Sequence, residues 1–243
     1  MPEPPRGRHA MPKLLLFDVD GTLVLTGGAG ERAMNRAFAE LFGVARGFEG
    51  IPMAGRTDPI IVSEALARAG IAATDASVAQ FRERYFVRLA EELEVPAPRK
   101  TMMPGVRSLL DVLEARPDTR LALLTGNYSE AARIKLGHFD LWRYFACGAF
   151  GEDAAERAQL VEVALRRCQA LGGSPEVAPG DVFVVGDTPL DVACARANQA
   201  RSIAVATGPY GAAQLRQSGA DVVFEDLSET GAFLRFVNGG APA

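Results

Sequence analysis

The chain is poor in lysine, histidine and cysteine. Among 243 residues only Lys13, Lys100 and Lys135 are lysines, so positive charge is carried almost entirely by arginine. His9 and His138 are the only histidines. That leaves little for a histidine-rich zinc site or a Ser-His-Asp triad, and both histidines read as structural or solvated. Cys147, Cys168 and Cys194 are spread too widely for metal-ligand spacing. So sparse and odd a set fits a reducing compartment, with the cysteines acting as small hydrophobes. Positive charge is not in excess either. The formal net charge is -4, which sets aside nucleic acid and anionic membranes as partners. No apolar run approaches the length of a bilayer span. Residues 1–11 are rich in Pro and Arg without an apolar stretch, so they read as a disordered tail and not a signal peptide. The expectation is a cytoplasmic protein, monomeric or homodimeric.

What is present is an ordinary globular composition, 48% hydrophobic and 23% charged. Five short apolar runs, at 13–18, 121–125, 145–150, 182–187 and 202–207, read as buried parallel strands bounded by polar turns, and 221–224 is a candidate sixth. Helical spacing separates most of them: Val106, Leu109, Leu110 and Leu113 recur on one face, as do Leu160, Val161, Ala164, Leu165 and Cys168. Strand-helix alternation predicts an α/β fold, a Rossmann-like open parallel sheet with helices on both faces. Residues 25–99 break the alternation and hold no convincing strand. Ala33, Met34, Ala37, Phe38, Leu41 and Phe42 mark one amphipathic helix, Ile61, Ala65 and Leu66 a second, and Val78, Phe81, Tyr85, Leu89 and Leu93 a third. The predicted organisation is a core of 12–24 and 100–243 with an all-helical cap inserted at 25–99. Gly27-Gly28-Ala29-Gly30 and Pro96-Ala97-Pro98 are its candidate hinges.

In an open α/β sheet, ligands bind at the carboxyl ends of the strands. Strand one ends in Asp18-Val19-Asp20-Gly21-Thr22, the second in Thr125-Gly126-Asn127, and the fourth in Gly186-Asp187-Thr188-Pro189-Leu190-Asp191. Four carboxylates from two strands, converging at one edge, would repel one another without a cation. A hard dication with oxygen ligands is the natural remedy, and one that also holds a phosphate suggests Mg²⁺.

In these motifs and their order the chain, from about Lys13 onward, resembles the haloacid dehalogenase superfamily of phosphatases. Within it, the chain is similar to members with a small helical cap of the phosphoglycolate phosphatase type. The resemblance implies a small phosphorylated metabolite as substrate. It implies that Asp18 attacks phosphorus to form an aspartyl-phosphate, while Asp20 protonates the leaving oxygen and later deprotonates the hydrolytic water. Asp18, the Asp20 carbonyl and Asp187 would hold Mg²⁺, with Asp191 reaching it through water or orienting that shell. Thr125, Gly126 and Asn127 would donate hydrogen bonds to phosphate oxygens, and Thr22 would support the loop or the substrate. Arg56, in Gly55-Arg56-Thr57-Asp58, looks like part of the cap's substrate-facing loop.

The chain departs from the family's usual lysine beside the phosphate, since no lysine follows Lys135. Arg157 stands near the matching strand end and binds phosphate with different geometry. A solvated arginine pairing with Glu156 or Asp153 is the plainer reading of the same residue. Lys135 is the competitor, but its mid-helix position suits a solvated or capping role better. Other functions share the fold: a phosphomutase of the β-phosphoglucomutase type, a 2-haloacid dehalogenase, against which Asp20 argues, and a non-catalytic binding protein, against which the complete set of aspartates argues.

Overall fold

The computed structural model describes residues 13–171 and 177–240, and the predicted tail at 1–11 lies outside them. The chain runs β1 (Lys13–Phe17), β2 (Val24–Thr26), α1 (Ala29–Phe42), α2 (Asp58–Arg68), α3 (Asp75–Glu94), β3 (Lys100–Met102), α4 (Val106–Glu114), β4 (Thr119–Leu124) and α5 (Ser129–His138). It continues through β5 (Cys147–Ala149), α6 (Leu160–Ala170), β6 (Val182–Gly186), α7 (Pro189–Ala197), β7 (Arg201–Val205), α8 (Ala212–Gln217), β8 (Val222–Phe224) and α9 (Thr230–Val237).

Six strands form one sheet in the order β5-β4-β1-β6-β7-β8. Every pairing in it is parallel. The period-2 alternation of β1 shows how the two faces are filled. Leu15 and Phe17 pack with Leu109 and Leu110 of α4 and Phe233 of α9, while Leu14 and Leu16 pack with Leu160 and Val161 of α6 and Ala195 of α7. Because β1 is buried on both sides, it reads as a continuous apolar run instead of an alternating one. Strand order reverses at β1, with β4 on one side and β6 on the other, so the crevice at its carboxyl end is a topological switch point.

The three helices expected between strand one and the rest of the core are α1, α2 and α3. They share a separate apolar cluster built on Phe38, Phe48, Ile61, Phe81, Leu89 and Leu93. Tyr128 and Ala131 at the start of α5 belong to the same cluster, which anchors the insert to the sheet.

Two expectations need correcting. The first is that the insert is free of strand at its edges: β2 and β3 pair antiparallel, Val24 with Met102 and Thr26 with Lys100, so the chain enters and leaves the helices through a two-stranded ribbon. Three residues per strand are too few to show a period. In addition, Gly30 is part of α1 and not of a hinge, whereas Gly27 and Gly28 take left-handed φ angles before it. The second concerns the cysteines. Cys147 at the start of β5 and Cys168 in α6 form a disulfide, so only Cys194 behaves as the expected small buried hydrophobe. A strand and the helix packed on it bring together two residues that sequence spacing keeps apart.

Candidate active site

Asp18 is the first residue past β1, and its backbone N–H still donates to Val185 of β6, which aims the carboxylate along the sheet edge. The chain then turns tightly, with the amides of Leu23 and Val24 bonded back to the Val19 carbonyl. Gly21 makes this turn with φ of 81°, and a Cβ there would fall on the Asp187 carboxylate. Gly208, on the loop after β7, meets the same carboxylate from the other side. Asp187 is therefore admitted only because two neighbours lack side chains.

Asp18, Asp187 and Asp191 each place a carboxylate oxygen within 4.8 Å of the others, and all three are buried. Arg157 is the one cation among them. It lies in the single 3₁₀ turn Arg157–Gln159 that leads into α6. Its Nη2 is 3.4 Å from Asp18 Oδ2 and 2.5 Å from Asp191 Oδ1, and its Nη1 donates to the Gly55 carbonyl at 3.4 Å. It does not pair with Asp153, which is held by Arg167 at 2.6 Å. Three carboxylates against one guanidinium leave negative charge uncompensated. Burial pushes Asp18 up to about 6, Asp191 adding to the rise and Arg157 opposing it. Burial, with Asp18 and Asp191 adding to it, pushes Asp187 up to about 8. A cluster of hard oxygen donors this crowded fits a divalent cation, which would favour the charged forms of Asp18 and Asp187.

The supporting bonds assign each aspartate a different freedom. Thr22 is fully buried and donates to Asp187 Oδ1 at 3.2 Å, so it reaches the site through that carboxylate and does not open onto the cavity. Asp191 Oδ2 accepts from the Thr188 backbone N–H at 3.0 Å and from its hydroxyl at 2.7 Å, closing the capping box of α7. With its other oxygen on Arg157, Asp191 is fixed from both sides. Thr125 continues β4, its N–H bonded to the Ala149 carbonyl, and its hydroxyl accepts from Asn127 Nδ2 at 2.9 Å. Asn127 Nδ2 also donates to Asp20 Oδ2 at 2.8 Å.

Lys135 is not solvated and does not cap its helix, contrary to the sequence expectation. It is buried, and its Nζ donates to Asp20 Oδ2 and to Asn127 Oδ1, both at 2.6 Å. It shares the inward face of α5 with Ala131 and Ala132. The site thus has two cations where the sequence offered one or the other. Arg157 serves Asp18 and Asp191, and Lys135 serves Asp20.

Asp18, Asp20, Asn127, Lys135, Arg157 and Asp187 line one cavity of about 410 Å³, whose far wall comes from the helical insert. The insert touches the strand ends through the loop 55–58: the Asp58 N–H donates to the Gly126 carbonyl at 2.7 Å, and Asp58 Oδ2 accepts from the Tyr128 N–H at 2.8 Å. A Cβ on Gly126 would fall on the Arg56 carbonyl, so the contact is backbone to backbone. Arg56 lines the cavity, but its guanidinium is held by Glu64 at 2.7 Å and the Pro52 carbonyl at 2.9 Å. Asp58, buried in the same wall, is pushed up to about 7 by burial.

A model of haloacid dehalogenase-like hydrolases matches residues 15–196, from β1 through α7 and all three motif-bearing strand ends. The chain belongs to that family. Over 232 residues it is 29% identical to a phosphoglycolate phosphatase of Rhodospirillum rubrum, covering 95% of this chain and 94% of that one. It is 30% identical over 225 residues to a phosphoglycolate phosphatase of Chromobacterium violaceum, covering 89% and 94%. Among solved structures, CbbY from Rhodobacter sphaeroides in complex with phosphate superposes with a TM-score of 0.66 at 23% identity, over 91% of this chain and 97% of that one, a likeness of fold.

As a haloacid dehalogenase-like hydrolase, the chain carries two cavity residues that the sequence does not single out, Asp58 and Tyr85, and a third, Lys135, that it ranks below Arg157. In sequence terms Asp58 is one residue of a loop and Tyr85 a core position of α3. All three line the cavity. Their helical periodicity marks an inward face but not what that face meets.

Proposed function

We propose that the chain is a phosphoric monoester hydrolase that cleaves a small phosphorylated metabolite of the phosphoglycolate type through an aspartyl-phosphate on Asp18. The observation that carries this reading is the pairing of two aspartates two residues apart with different partners. Asp18 lies in the carboxylate cluster beside Arg157. Asp20 is turned away from it toward Lys135 and Asn127. In this reading one carboxylate attacks phosphorus and the other moves a proton, the division of labour that a two-step displacement needs.

Arg157 fits the role of phosphate partner, because its guanidinium already bridges Asp18 and Asp191 and presents donors to the same space. Thr125 and Asn127 stand at the end of β4 where phosphate oxygens would lie. Asp18, Asp187, the Asp20 carbonyl and, directly or through water, Asp191 are the groups to hold Mg²⁺. When bound, the ion neutralises the cluster and the charge on the transferring phosphoryl group. The helical insert, residues 25–99, acts as a cap that excludes water when loop 55–58 is seated on Gly126. Among the described residues no helix is long and apolar enough to cross a membrane, and a soluble metabolite suits a cytoplasmic enzyme. In that compartment the Cys147–Cys168 bond would be reduced.

Phosphate release from an aryl phosphate, with Mg²⁺, with EDTA and with Asp18→Asn, tests the reading. The expected result is metal-dependent release that Asp18→Asn abolishes. Release that persists in the variant sinks Asp18 as the nucleophile.

A further inference from the structure

Tyr85 is fully buried in the middle of α3, lines the cavity, and its hydroxyl has no hydrogen-bond partner. A buried tyrosine hydroxyl normally finds one, because leaving it unmade costs stability. Across from it stands the start of α1. The helix begins at Gly28 with a left-handed φ of 81° and no side-chain cap. The first-turn amides of Ala29, Gly30 and Glu31 therefore lack a side-chain cap and have no acceptor within the helix. Gly30 is helical and takes no positive φ, so the backbone does not require glycine there. Glycine in a helix costs about 1 kcal/mol relative to alanine. What it leaves is space. Beyond its own chain neighbours, the nearest atoms to the point where a Gly30 Cβ would stand are Lys135 Nζ at 3.7 Å, Lys135 Cε at 3.8 Å and Tyr85 Oη at 3.9 Å. The Lys135 ammonium has three donors, of which Asp20 and Asn127 take two.

We infer that the pocket over Gly30 is the subsite for a carboxylate on the leaving group of the substrate, held by the Tyr85 hydroxyl, the third Lys135 donor and the first-turn amides of α1. The inference rests on the phosphomonoester reading above and adds to it which residues select the ester. Its donors come from three separate elements, α1, α3 and α5, and two of them, the Tyr85 hydroxyl and the Lys135 ammonium, lie within 4 Å of the point where a Gly30 Cβ would stand. Two of the acids nearby are already engaged, while a third, Glu31 in the first turn of α1, lines the same cavity from an exposed position. Asp20 is bonded to Lys135 and Asn127, and one oxygen of Asp58 is bonded to the Tyr128 amide. Because Lys135 also bonds Asp20, an ester seated this way would have its far end and the proton-transferring carboxylate on one ammonium.

The test compares kcat/KM for phosphoglycolate, 2-hydroxyethyl phosphate and ethyl phosphate in the wild type, Tyr85→Phe and Gly30→Ala. The expected result is a preference of the wild type for phosphoglycolate. In each variant the ratio of phosphoglycolate to ethyl phosphate should fall about ten-fold, the order of one hydrogen bond to a charged group. Neither variant should lower Tm, since the Tyr85 hydroxyl has no partner to lose and alanine is the better helix former. An unchanged ratio in both variants overturns the inference, as does a changed ratio that comes only with a lower Tm. Hydroxyethyl phosphate matching phosphoglycolate overturns the carboxylate and leaves a hydroxyl reader. Absence of release from every ester by the wild type counts against the phosphatase reading instead. The subsite is then judged by calorimetric binding of phosphoglycolate to the wild type and Tyr85→Phe: weaker binding by the variant supports it, and equal binding overturns it.

Discussion

The outer face of the helical insert and the floor of the cavity use the same residue types to opposite effect. On the outer face of α1 and α3, Arg36 and Arg88 meet Glu40, Glu91 and Glu92 in a network of ion pairs. Hydrogen bonds from Arg88 hold Glu40 and Glu91 below the ordinary carboxylate range. On the floor, three buried carboxylates share Arg157, and two of them are held well above that range. Arginine and acid are nearly matched in the first region and deliberately unmatched in the second. The imbalance is tolerable only because the floor is built on the rigid carboxyl ends of β1 and β6. Water relaxes the first region, and a divalent cation would relax the second.

The largest way to break this contrast is Asp18→Asn. Turnover should fall by at least about 10³-fold, the order seen when a nucleophile is removed. The metal-free variant should at the same time melt at a higher temperature than the metal-free wild type, because one member of the crowded cluster is gone. A lower Tm would show the cluster to be net stabilising without metal.

Arg157→Met comes next. Removing the one guanidinium strands Asp191 and Asp18 in the interior, with an expected stability loss of about 3–5 kcal/mol in urea unfolding and a raised KM for phosphate esters. An unchanged unfolding midpoint would mean that the carboxylates simply take up protons.

The pH dependence has a definite sign. Asp187 is raised from 3.8 to about 8 by burial and by its acidic neighbours. Its contribution to metal-free stability is therefore fully present below about pH 4 and is lost as pH rises through 8. Added Mg²⁺ should raise Tm more at pH 8 than at pH 5. Equal shifts at both would place the ion elsewhere. The smallest effect belongs to the outer network: Glu40→Gln should leave activity and Tm within measurement error, in keeping with exposed ion pairs.

How much of this was legible before the fold depended on whether a residue's role is set by its own segment. Asp18, Asp20, Thr125, Asp187 and Asp191 announce themselves because each follows a strand end, and a strand end in a parallel sheet has a known destination. The six strands were legible for the same reason, each being a short apolar run with a polar stop. Lys135 is misjudged from sequence because helical spacing assigns a face without naming the neighbour, and the face of α5 that carries it packs against the site. Cys147 and Cys168 sit 21 residues apart, and only the docking of α6 on β5 joins them.

The sequence by itself determined the parallel sheet, the three-helix insert and the family's acidic motifs, since hydrophobic periodicity and strand-end chemistry are local properties. The tertiary structure decided which cation serves which aspartate, that the unpartnered Tyr85 hydroxyl borders the cavity, and that Gly30 belongs to a helix and not to a hinge. Those depend on how α1, α3 and α5 rotate against one another over the sheet. That rotation is fixed by packing the Phe38–Phe81–Tyr128 cluster, a many-body fit that no single segment encodes.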